Sequence, residues 1–386
     1  MFDRFSAGEM RRRQALAHAL MDEHGLDALV LFGNSGVNRH NQANVFWLSN
    51  HLDLHHCYLV LPRDGDATLL VGLTNHVPNA REVSDVPRIE WGGYRPAEKV
   101  VERLAGMGRV GLVGVNATFA MGMPYAHWQE LERAVPELVD VTREFQRLRL
   151  VKSEEEVEWL RRAAALSDLA MLALRDEARI GMTEYELVAL AEDAYRREGG
   201  QAHITFLRSM PMDAPTGCLP AQNPSARRLE RGDVVITEFS ASYWGYSGQL
   251  HRPVFIGREP SADWQRLFDV ALEAYARLTT AVRAGNNEAD ALEAAAVIPA
   301  AGYAIYDELL HGYGVDILPP LIDRTRLGDG SGGGMQFERG MAIVLQPNPI
   351  TPDERMGLQL GALTIVRDDG AECLHDVPFE PLLADA

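Results

Sequence analysis

The sequence predicts a two-domain protein, with an α/β domain over residues 1–148 and an α+β domain over residues 149–386. A chain of 386 residues exceeds the size of most single hydrophobic cores, so two domains are expected. In the first part, short apolar runs alternate with helical patterns, which is typical of α/β folds. In the second part, two long amphipathic helices precede a series of strands, which is typical of α+β folds.

The elements of the first domain follow from the spacing of apolar residues. Helical periodicity marks residues 9–24, and an apolar run at 28–32 then predicts a buried strand. Further strands are predicted at 44–50, 57–62, 67–72 and 109–114, and a helix is predicted at about 124–134.

Capping boxes predict where the two long helices of the second domain begin. The pairs are Ser153 with Glu156 and Thr183 with Glu186. In such a pair the hydroxyl accepts from a backbone N–H of the first turn, and the acid bonds back to the capping residue. Another helix is predicted at about 262–284. The glycine-rich run at 328–334 lacks the context of a phosphate loop and is predicted to be a flexible connection.

Composition excludes several classes of function. A formal net charge of −18 argues against nucleic acid and anionic membranes as partners, because both require a basic surface. Three dispersed cysteines do not form a disulfide framework or a cysteine-rich zinc site. No stretch approaches the length of a membrane span, and the N-terminus lacks the apolar segment of a signal peptide. A cytoplasmic protein is therefore expected.

Glu238 ends the apolar strand of GDVVITEF and is the first candidate for a chemical role. Burial there would raise its pKa, whereas a nearby cation would restore a carboxylate able to act as a base or nucleophile. His251 and Arg252 lie on the strand that is expected to return beside it. The alternative is structural, with Glu238 and Arg252 forming a salt bridge at the edge of the sheet.

Two further polar residues lie next to apolar segments. His311 stands before a Gly-Tyr-Gly turn, where glycines let the backbone approach another group closely. Gln346 ends the apolar strand of MAIVLQ, a position that suits an amide orienting a substrate. The alternatives are a hydrogen-bonded structural histidine and a capped strand end.

In the first domain, NHLDLHHC brings Asp53, His55 and His56 close together in the chain. Their spacing does not match the helical HExxH pattern of zinc peptidases. The segment is therefore predicted to be a loop or lid rather than a metal site.

The order of several segments resembles the pita-bread superfamily of creatinase, prolidase, aminopeptidase P and methionine aminopeptidase. NVFWLSN and CYLVLP are similar to first-domain segments of creatinases and prolidases, and RLRLVKSEEEVEWLRRA resembles the opening of their catalytic domain. GMTEYELVALAEDAYRREGG, RLERGDVVITEF, GYSGQLHRPVFIG and TIVRDDGAECL follow in the expected order. The resemblance covers nearly the whole chain and implies a pita-bread catalytic domain after a creatinase-type N-terminal domain.

The resemblance also shows which residues of this chain stand at the metal-ligand positions of the peptidases. Peptidases of this superfamily hold two metal ions with two aspartates, one histidine and two glutamates. These ligands fall on Glu238, Gln249, His311, Gln346 and Gly361 of this chain. One acid, one imidazole and two amides do not provide the carboxylates that two divalent ions need. No metal or other cofactor is therefore expected, and the metallopeptidase activity is predicted to be lost.

Among metal-free members, ectoine hydrolase resembles the chain more closely than creatinase. The catalytic histidine of creatinase falls on Gln222, and its glutamates fall on His251 and Gln346. The similarities to ectoine hydrolase are the small apolar turn after Glu238, the ending Leu250-His251-Arg252, the pair Gly312-Tyr313 and the pair Pro319-Pro320.

The leading hypothesis from the sequence is a metal-independent hydrolase that cleaves a C–N bond in a small cyclic amidine, guanidine or amide. Glu238 would be the nucleophile or general base, and His311 would give a proton to the leaving nitrogen. Gln249, His251 and Gln346 would hold the substrate. Tyr246 and Tyr313 would shape the pocket.

Three further expectations accompany this hypothesis. One alternative is a catalytically inactive protein that binds a ligand in the pita-bread cavity. Another is an Xaa-Pro peptidase-like metallohydrolase with a degenerate metal site. The resemblance also implies a homodimer in which Asp53 and His55 complete the pocket of the partner subunit.

Overall fold

The computed structural model describes residues 2–34, 39–115, 122–326 and 334–384. The chain divides into two compact units. The N-terminal unit comprises Met1–Arg149 and Val315–Ile317, and the C-terminal unit comprises Leu150–Gly314 and Leu318–Ala386. Most of the glycine-rich run at 328–334 lies outside the described residues.

The N-terminal unit contains a six-stranded sheet with helices packed on it. Its helices are α1 (Ala7–His24), α2 (Ala43–Ser49), α3 (Val77–Val83), α4 (Pro96–Arg103), α5 (Tyr125–Ala134) and α6 (Thr142–Arg147). Its strands are β1 (Ala28–Gly33), β2 (Cys57–Pro62), β3 (Thr68–Val71), β4 (Arg88–Trp91), β5 (Arg109–Val113) and β6 (Glu137–Asp140). The strand order is β4-β3-β2-β1-β5-β6.

Strand β1 explains how the core of this unit is divided. All of its residues are buried, as the continuous apolar run predicts. Leu29 and Leu31 belong to one apolar cluster, whereas Val30 and Phe32 belong to another. Because successive side chains point to opposite faces of a sheet, these two clusters lie on its two sides.

Residues 44–50 correct one predicted element. The sequence predicts a strand there, but the structure forms the helix α2 over Ala43–Ser49. Every residue of this helix is buried. A short apolar run that is buried on all sides has no periodicity that distinguishes a strand from a helix.

The C-terminal unit is built around a ten-stranded sheet and a separate two-stranded sheet. Its helices are α7 (Glu154–Glu177), α8 (Glu184–Arg196), α9 (Ala262–Ala281), α10 (Glu288–Ala294) and α11 (Val297–Ala300). Its strands are β7 (Gln201–Pro211), β8 (Asp233–Tyr243), β9 (Tyr246–His251), β10 (Val254–Ile256), β11 (Ala304–Ile305), β12 (Leu310–Gly312), β13 (Leu318–Ile322), β14 (Ala342–Leu345), β15 (Pro349–Ile350), β16 (Gly361–Val366), β17 (Ala371–Cys373) and β18 (Leu382–Ala384).

The main path of the ten-stranded sheet is β13-β12-β14-β16-β9-β8-β10-β18, and β7 pairs with β8. Helix α7 packs against β8 and β9. Ser153 and Thr183 begin α7 and α8 with capping boxes, so these two predictions are confirmed. The long helix α7 thus lies on the two strands that carry most of the predicted site.

Gly248 of β9 lets the sheet and α7 approach closely. A Cβ atom at this position would lie 2.3 Å from the backbone nitrogen of Ala164 and 2.5 Å from the carbonyl carbon of Ala163. Ser167 of α7 donates its hydroxyl to the carbonyl of Gly248 and accepts from the backbone nitrogen of Ala241 at 2.9 Å. The helix is therefore held against both strands by hydrogen bonds as well as by apolar contact.

Within the described residues, the structure contains no helix long and apolar enough to cross a membrane.

Candidate active site

Five polar residues, which we call the polar cluster, meet on one face of the ten-stranded sheet. They are Glu238, Gln249, His251, His311 and Gln346. Gln249 of β9 pairs with Ser240 of β8, and residues two apart on a strand point to the same face. Glu238 and Gln249 therefore share this face. Strands β16, β14 and β12 follow β9 in the sheet, and they bring His311 and Gln346 to the same region.

The carboxamide of Gln249 lies at the centre of the polar cluster. Its Nε2 lies 3.2 Å from Oε1 of Glu238 and 3.2 Å from Oε1 of Gln346. The same nitrogen lies 2.9 Å from Nε2 of His251. Three side chains that could accept hydrogen bonds therefore converge on one amide nitrogen.

His251 is a neutral acceptor in this arrangement. It is fully buried, and burial lowers its pKa to about 3. Its Nδ1 lies 3.1 Å from Oε1 of Gln359, so Nδ1–H donates to that oxygen and Nε2 accepts from Gln249. Gln359 thereby fixes the tautomer. The sequence reasoning missed this residue because its contact depends on the tertiary structure.

His311 is also buried, and burial lowers its pKa. Its Nδ1 donates to the carbonyl of Gly312 at 3.1 Å, and its ring lies edge-on to Tyr313 with centroids 5.3 Å apart. Because Nδ1 carries the proton, Nε2 remains a neutral nitrogen able to accept a proton or a hydrogen bond. His311 therefore has the protonation state of a base rather than of a proton donor.

Two acids that the sequence reasoning missed, Asp307 and Glu308, lie close enough to affect Glu238. Burial raises the pKa of Glu238 to about 8, and the negative charges of Asp307 and Glu308 add to this increase. Burial also raises the pKa of Asp307 to about 7, although Asn348 donates to its Oδ2 at 3.0 Å. Glu238 is therefore mostly protonated near neutral pH. The signal was present in YDELLH, where the acid pair stands shortly before His311.

We expect Glu238→Gln to stabilise the folded chain at alkaline pH. The pKa of Glu238 is about 8 when folded and 4.5 in its ordinary state, so the folded state binds more protons between these values. The free energy of unfolding should therefore fall as pH rises from about 4.5 to about 8. A glutamine does not titrate, so the variant should exceed the wild type by about 4–5 kcal/mol at pH 8.5 and come within about 0.5 kcal/mol of it near pH 4.5. Urea unfolding at a series of pH values measures this difference.

Glu273→Gln is the matched control, because Glu273 is half exposed on α9 and pairs with Arg277. Its difference from the wild type should not change across this pH range. A Glu238→Gln variant whose stability difference is the same at both pH values would contradict the raised pKa.

Arg252 does not pair with Glu238, so the predicted alternative of a strand-edge salt bridge is wrong. The guanidinium is fully buried and donates to the carbonyls of Pro378, His251, Gly361 and Val377 at 2.7–3.1 Å. It also lies 3.7 Å from the ring centroid of Phe379. Burial lowers its pKa to about 10. Backbone carbonyls and an aromatic face balance this cation.

The structure separates the two tyrosines predicted to shape the pocket. Tyr313 lies beside His311, and its hydroxyl donates to Oγ of Ser240 at 3.3 Å. Tyr246 alternates with Gln249 on β9, and its hydroxyl donates to Glu156 of α7 at 2.6 Å. The predicted placement of Tyr246 is corrected accordingly, because successive strand residues face opposite ways and Tyr246 faces the helix.

Asp53 is a buried structural carboxylate within the N-terminal unit. It accepts from Nδ1 of His76 at 2.9 Å and from the backbone nitrogens of Gly72 and Leu54 at 3.0 and 2.7 Å. Burial raises its pKa, but hydrogen bonds from His51, Gly72, His76 and His55 outweigh burial and lower it. His55 is exposed, with its ring 5.9 Å from that of His76. The prediction that Asp53 and His55 complete a partner's pocket stays a prediction.

The residues present do not fit the two-metal centre that the resemblance implies. Two of the five ligand positions are amides, and the nitrogen of one of them faces the other candidate ligands. At Gly361, a Cβ atom would lie 2.6 Å from the carbonyl oxygen of Leu345 and 2.9 Å from Cα of Gln346, so a glutamate has no room there. In the part of the chain that the structure describes, no group of three or more His, Cys, Asp or Glu side chains could hold a metal ion.

Comparisons with known protein families cover both units. Residues 158–368 match the model of metallopeptidase family M24, and residues 12–151 match the Creatinase/Prolidase N-terminal domain. The predicted fold class, a pita-bread domain after a creatinase-type domain, is thereby confirmed.

Individual relatives match almost the whole chain. The Xaa-Pro dipeptidase of Pyrococcus furiosus is 26% identical over 383 residues, covering 97% of this chain and all of the relative. The probable dipeptidase PepE of Mycobacterium tuberculosis is 27% identical over 398 residues, covering 98% of this chain and 97% of the relative. The prolidase structure from Pyrococcus horikoshii has a TM-score of 0.79 at 22% identity, covering 95% of this chain and 99% of that one, and this likeness shows the fold alone.

These comparisons correct two interpretations of the sequence. The relatives are named as Xaa-Pro dipeptidases and dipeptidases, which contradicts the predicted metal-independent hydrolysis of a cyclic amidine, guanidine or amide. The specific likeness to ectoine hydrolase is not supported, whereas the wider likeness to creatinase and prolidase is confirmed. The reason for the error is chemical, since lost metal ligands show what a pocket lacks and do not identify its substrate.

The relationship is with hydrolases, and it extends along both units. The M24 model alone spans more than half of the 386 residues. The chain therefore belongs to metallopeptidase family M24.

Proposed function

We propose that the chain is a hydrolase of the Xaa-Pro dipeptidase type, with a degenerate metal site, that acts on short Xaa-Pro peptides. The observation that carries this proposal is the similarity to the Pyrococcus furiosus Xaa-Pro dipeptidase over 97% of the chain. The polar cluster supports it, because it is a compact set of hydrogen-bonding groups, and all of its residues except His251 stand at positions where the resemblance sets the peptidase ligands. A dipeptide offers carbonyl, amine and carboxylate groups that such a set would bind.

The protonation states of Glu238 and His311 suggest how each side chain would act on a bound peptide. Glu238 holds a proton near neutral pH, so it would donate a hydrogen bond to a substrate carbonyl or give a proton to a leaving nitrogen. Neutral His311 carries its proton on Nδ1, so its Nε2 would accept a proton from water or from a substrate amine. These roles reverse the sequence-based assignment, in which Glu238 was the base and His311 the proton donor.

A second candidate function is binding of such a peptide without turnover. The observation that favours it is the Gln249 carboxamide at the centre of the polar cluster, where the resemblance sets metal ligands. Amides bind neutral polar groups well but do not activate water. We also propose that the protein forms a homodimer, because it resembles families whose members form dimers.

Proline release from a panel of Xaa-Pro dipeptides tests the two candidates. We expect the wild type to release proline, and Glu238→Gln to lower kcat/KM by about 100-fold or more, because the proton of Glu238 is lost. Each protein is assayed with EDTA and with added Mn²⁺, Co²⁺ or Zn²⁺. Glu273→Gln on the exposed face of α9 should leave the rate unchanged.

The assay is read together with thermal shift on the same peptides. Stabilisation by a dipeptide without proline release under any metal condition would favour the binding protein. If the dipeptides neither stabilise the protein nor release proline, both candidates are contradicted.

A further inference from the structure

The amide nitrogen of Gln249 is surrounded by more acceptors than it has hydrogens. An amide NH₂ group has two hydrogens, yet Nε2 lies 2.9–3.2 Å from three acceptors. The acceptors are a carboxyl oxygen of Glu238, an imidazole nitrogen of His251 and an amide oxygen of Gln346. Oxygen and imidazole nitrogen are also the atoms that bind divalent metal ions.

The surrounding hydrogen bonds orient the acceptor atoms toward Gln249. Nδ1–H of His251 donates to Gln359, which leaves Nε2 of the same ring to face the amide. Nε2 of Gln346 donates to the carbonyl of Glu308 at 3.0 Å, which turns its Oε1 toward Gln249. Both orientations are therefore fixed by partners outside the contact itself.

From this geometry we infer that Gln249 prevents divalent metal ions from binding in the polar cluster, because its NH₂ group takes the place of a cation among Glu238, His251 and Gln346. Metal ions bind such ligands at about 2.0–2.2 Å, whereas the amide holds the same atoms at 2.9–3.2 Å. A metal ion would have to displace the amide and draw the three acceptors inward. The polar cluster of the wild type is therefore expected to have a low affinity for divalent ions.

The inference rests on the location of the proposed site, and it does not depend on whether that site hydrolyses peptides. A peptidase working with a weakly held ion and a binding protein without turnover both accommodate it. Metal binding is therefore measured directly, without substrate, so that failure of the proposed activity and failure of this inference give different results.

Gln249→Glu is the principal test, since glutamate has nearly the shape of glutamine and replaces the NH₂ donor by a carboxylate oxygen. The wild type and the variant are incubated with Mn²⁺ or Zn²⁺, desalted and analysed by mass spectrometry for bound metal, and affinities are measured by calorimetry. We expect the wild type to retain little metal, and the variant to bind about one equivalent at least tenfold more tightly. The variant's Tm should also rise on adding metal, as ligand linkage requires.

Gln359→Glu is the matched control. It adds the same negative charge beside His251, but on the Nδ1 side, away from the three acceptors. A carboxylate there would strengthen His251 as a ligand but would leave the NH₂ group in place, so we expect a much smaller gain in metal affinity than in Gln249→Glu. An equal gain in both variants would overturn the inference, because charge alone would then explain the binding.

Two other results would also overturn it. One is a wild type that retains one or more equivalents of metal and loses them on Glu238→Gln. The other is a folded Gln249→Glu variant, checked by circular dichroism, whose affinity does not exceed that of the wild type. If the Gln249→Glu variant does not fold, Gln249→Ala tests the inference instead. Removing the amide should also strengthen metal binding, and an unchanged metal affinity would contradict the proposed role of Gln249.

Discussion

Gly248→Ala should destabilise the chain by about 3 kcal/mol or more, as the midpoint of urea unfolding measures. The added methyl would lie 2.3 Å from the backbone nitrogen of Ala164 and 2.5 Å from its Cα, distances that no side-chain rotation relieves. Either β9 or α7 must move, although Ser167 ties the helix to both β8 and β9.

The same substitution should also weaken ligand binding, because Gln249 is the next residue on β9. Gly8→Ala serves as the control: a Cβ atom there lies 3.5 Å from its nearest neighbour, an ordinary contact, and the residue is in the first turn of α1. We expect that variant to match the wild type or to gain up to about 1 kcal/mol. Equal stability of the two variants would show that the close approach of β9 and α7 is not rigid.

Arg252→Met is expected to cost about 3 kcal/mol or more, because each buried acceptor left without a partner costs about 1–3 kcal/mol. Four backbone carbonyls would lose this donor, and the bonds to three of them are buried; Phe379 would also lose the cation over its ring. Arg252→Lys should recover only part of this loss, because one ammonium group cannot reach carbonyls spread around a planar guanidinium.

Arg266→Met is the control for loss of charge, since Arg266 is mostly exposed on α9. It should change the free energy of unfolding by less than about 0.5 kcal/mol. If Arg252→Met retained wild-type stability, the carbonyls would have to be satisfied by water, and the interior of the sheet would be less dry than the structure indicates.

Local signals predicted the frame of the fold well. Ser153 and Thr183 start α7 and α8 as their capping boxes indicate, because those contacts involve residues only three apart. The helix α2 was missed because its apolar residues are buried on every side, which removes the periodicity that identifies a helix. Contacts between residues close in the chain can be predicted from the sequence, whereas burial on all sides depends on the folded structure.

In the candidate site, too, some features could be predicted from local sequence and others depend on the tertiary structure. Alternation along β9 would have separated Tyr246 from Gln249, but only once the strand was known to run from Tyr246 to His251. The acid pair of YDELLH is visible beside His311 in the sequence, but the proximity of Asp307 to Glu238 and the contact of Gln359 with His251 join residues far apart in the chain. The convergence of three acceptors on Gln249 likewise exists only after β8, β9 and β14 have assembled.

The close packing around Gly361 has a consequence for protein engineering. Placing acids at positions 249 and 346 would require only side chains of similar size, but a glutamate at 361 would collide with the main chain of Leu345 and Gln346. Redesign of a dinuclear catalyst would therefore have to begin by widening the gap between two backbones. Substitutions at positions 249 and 346 alone would leave the ligand position at 361 without a side chain.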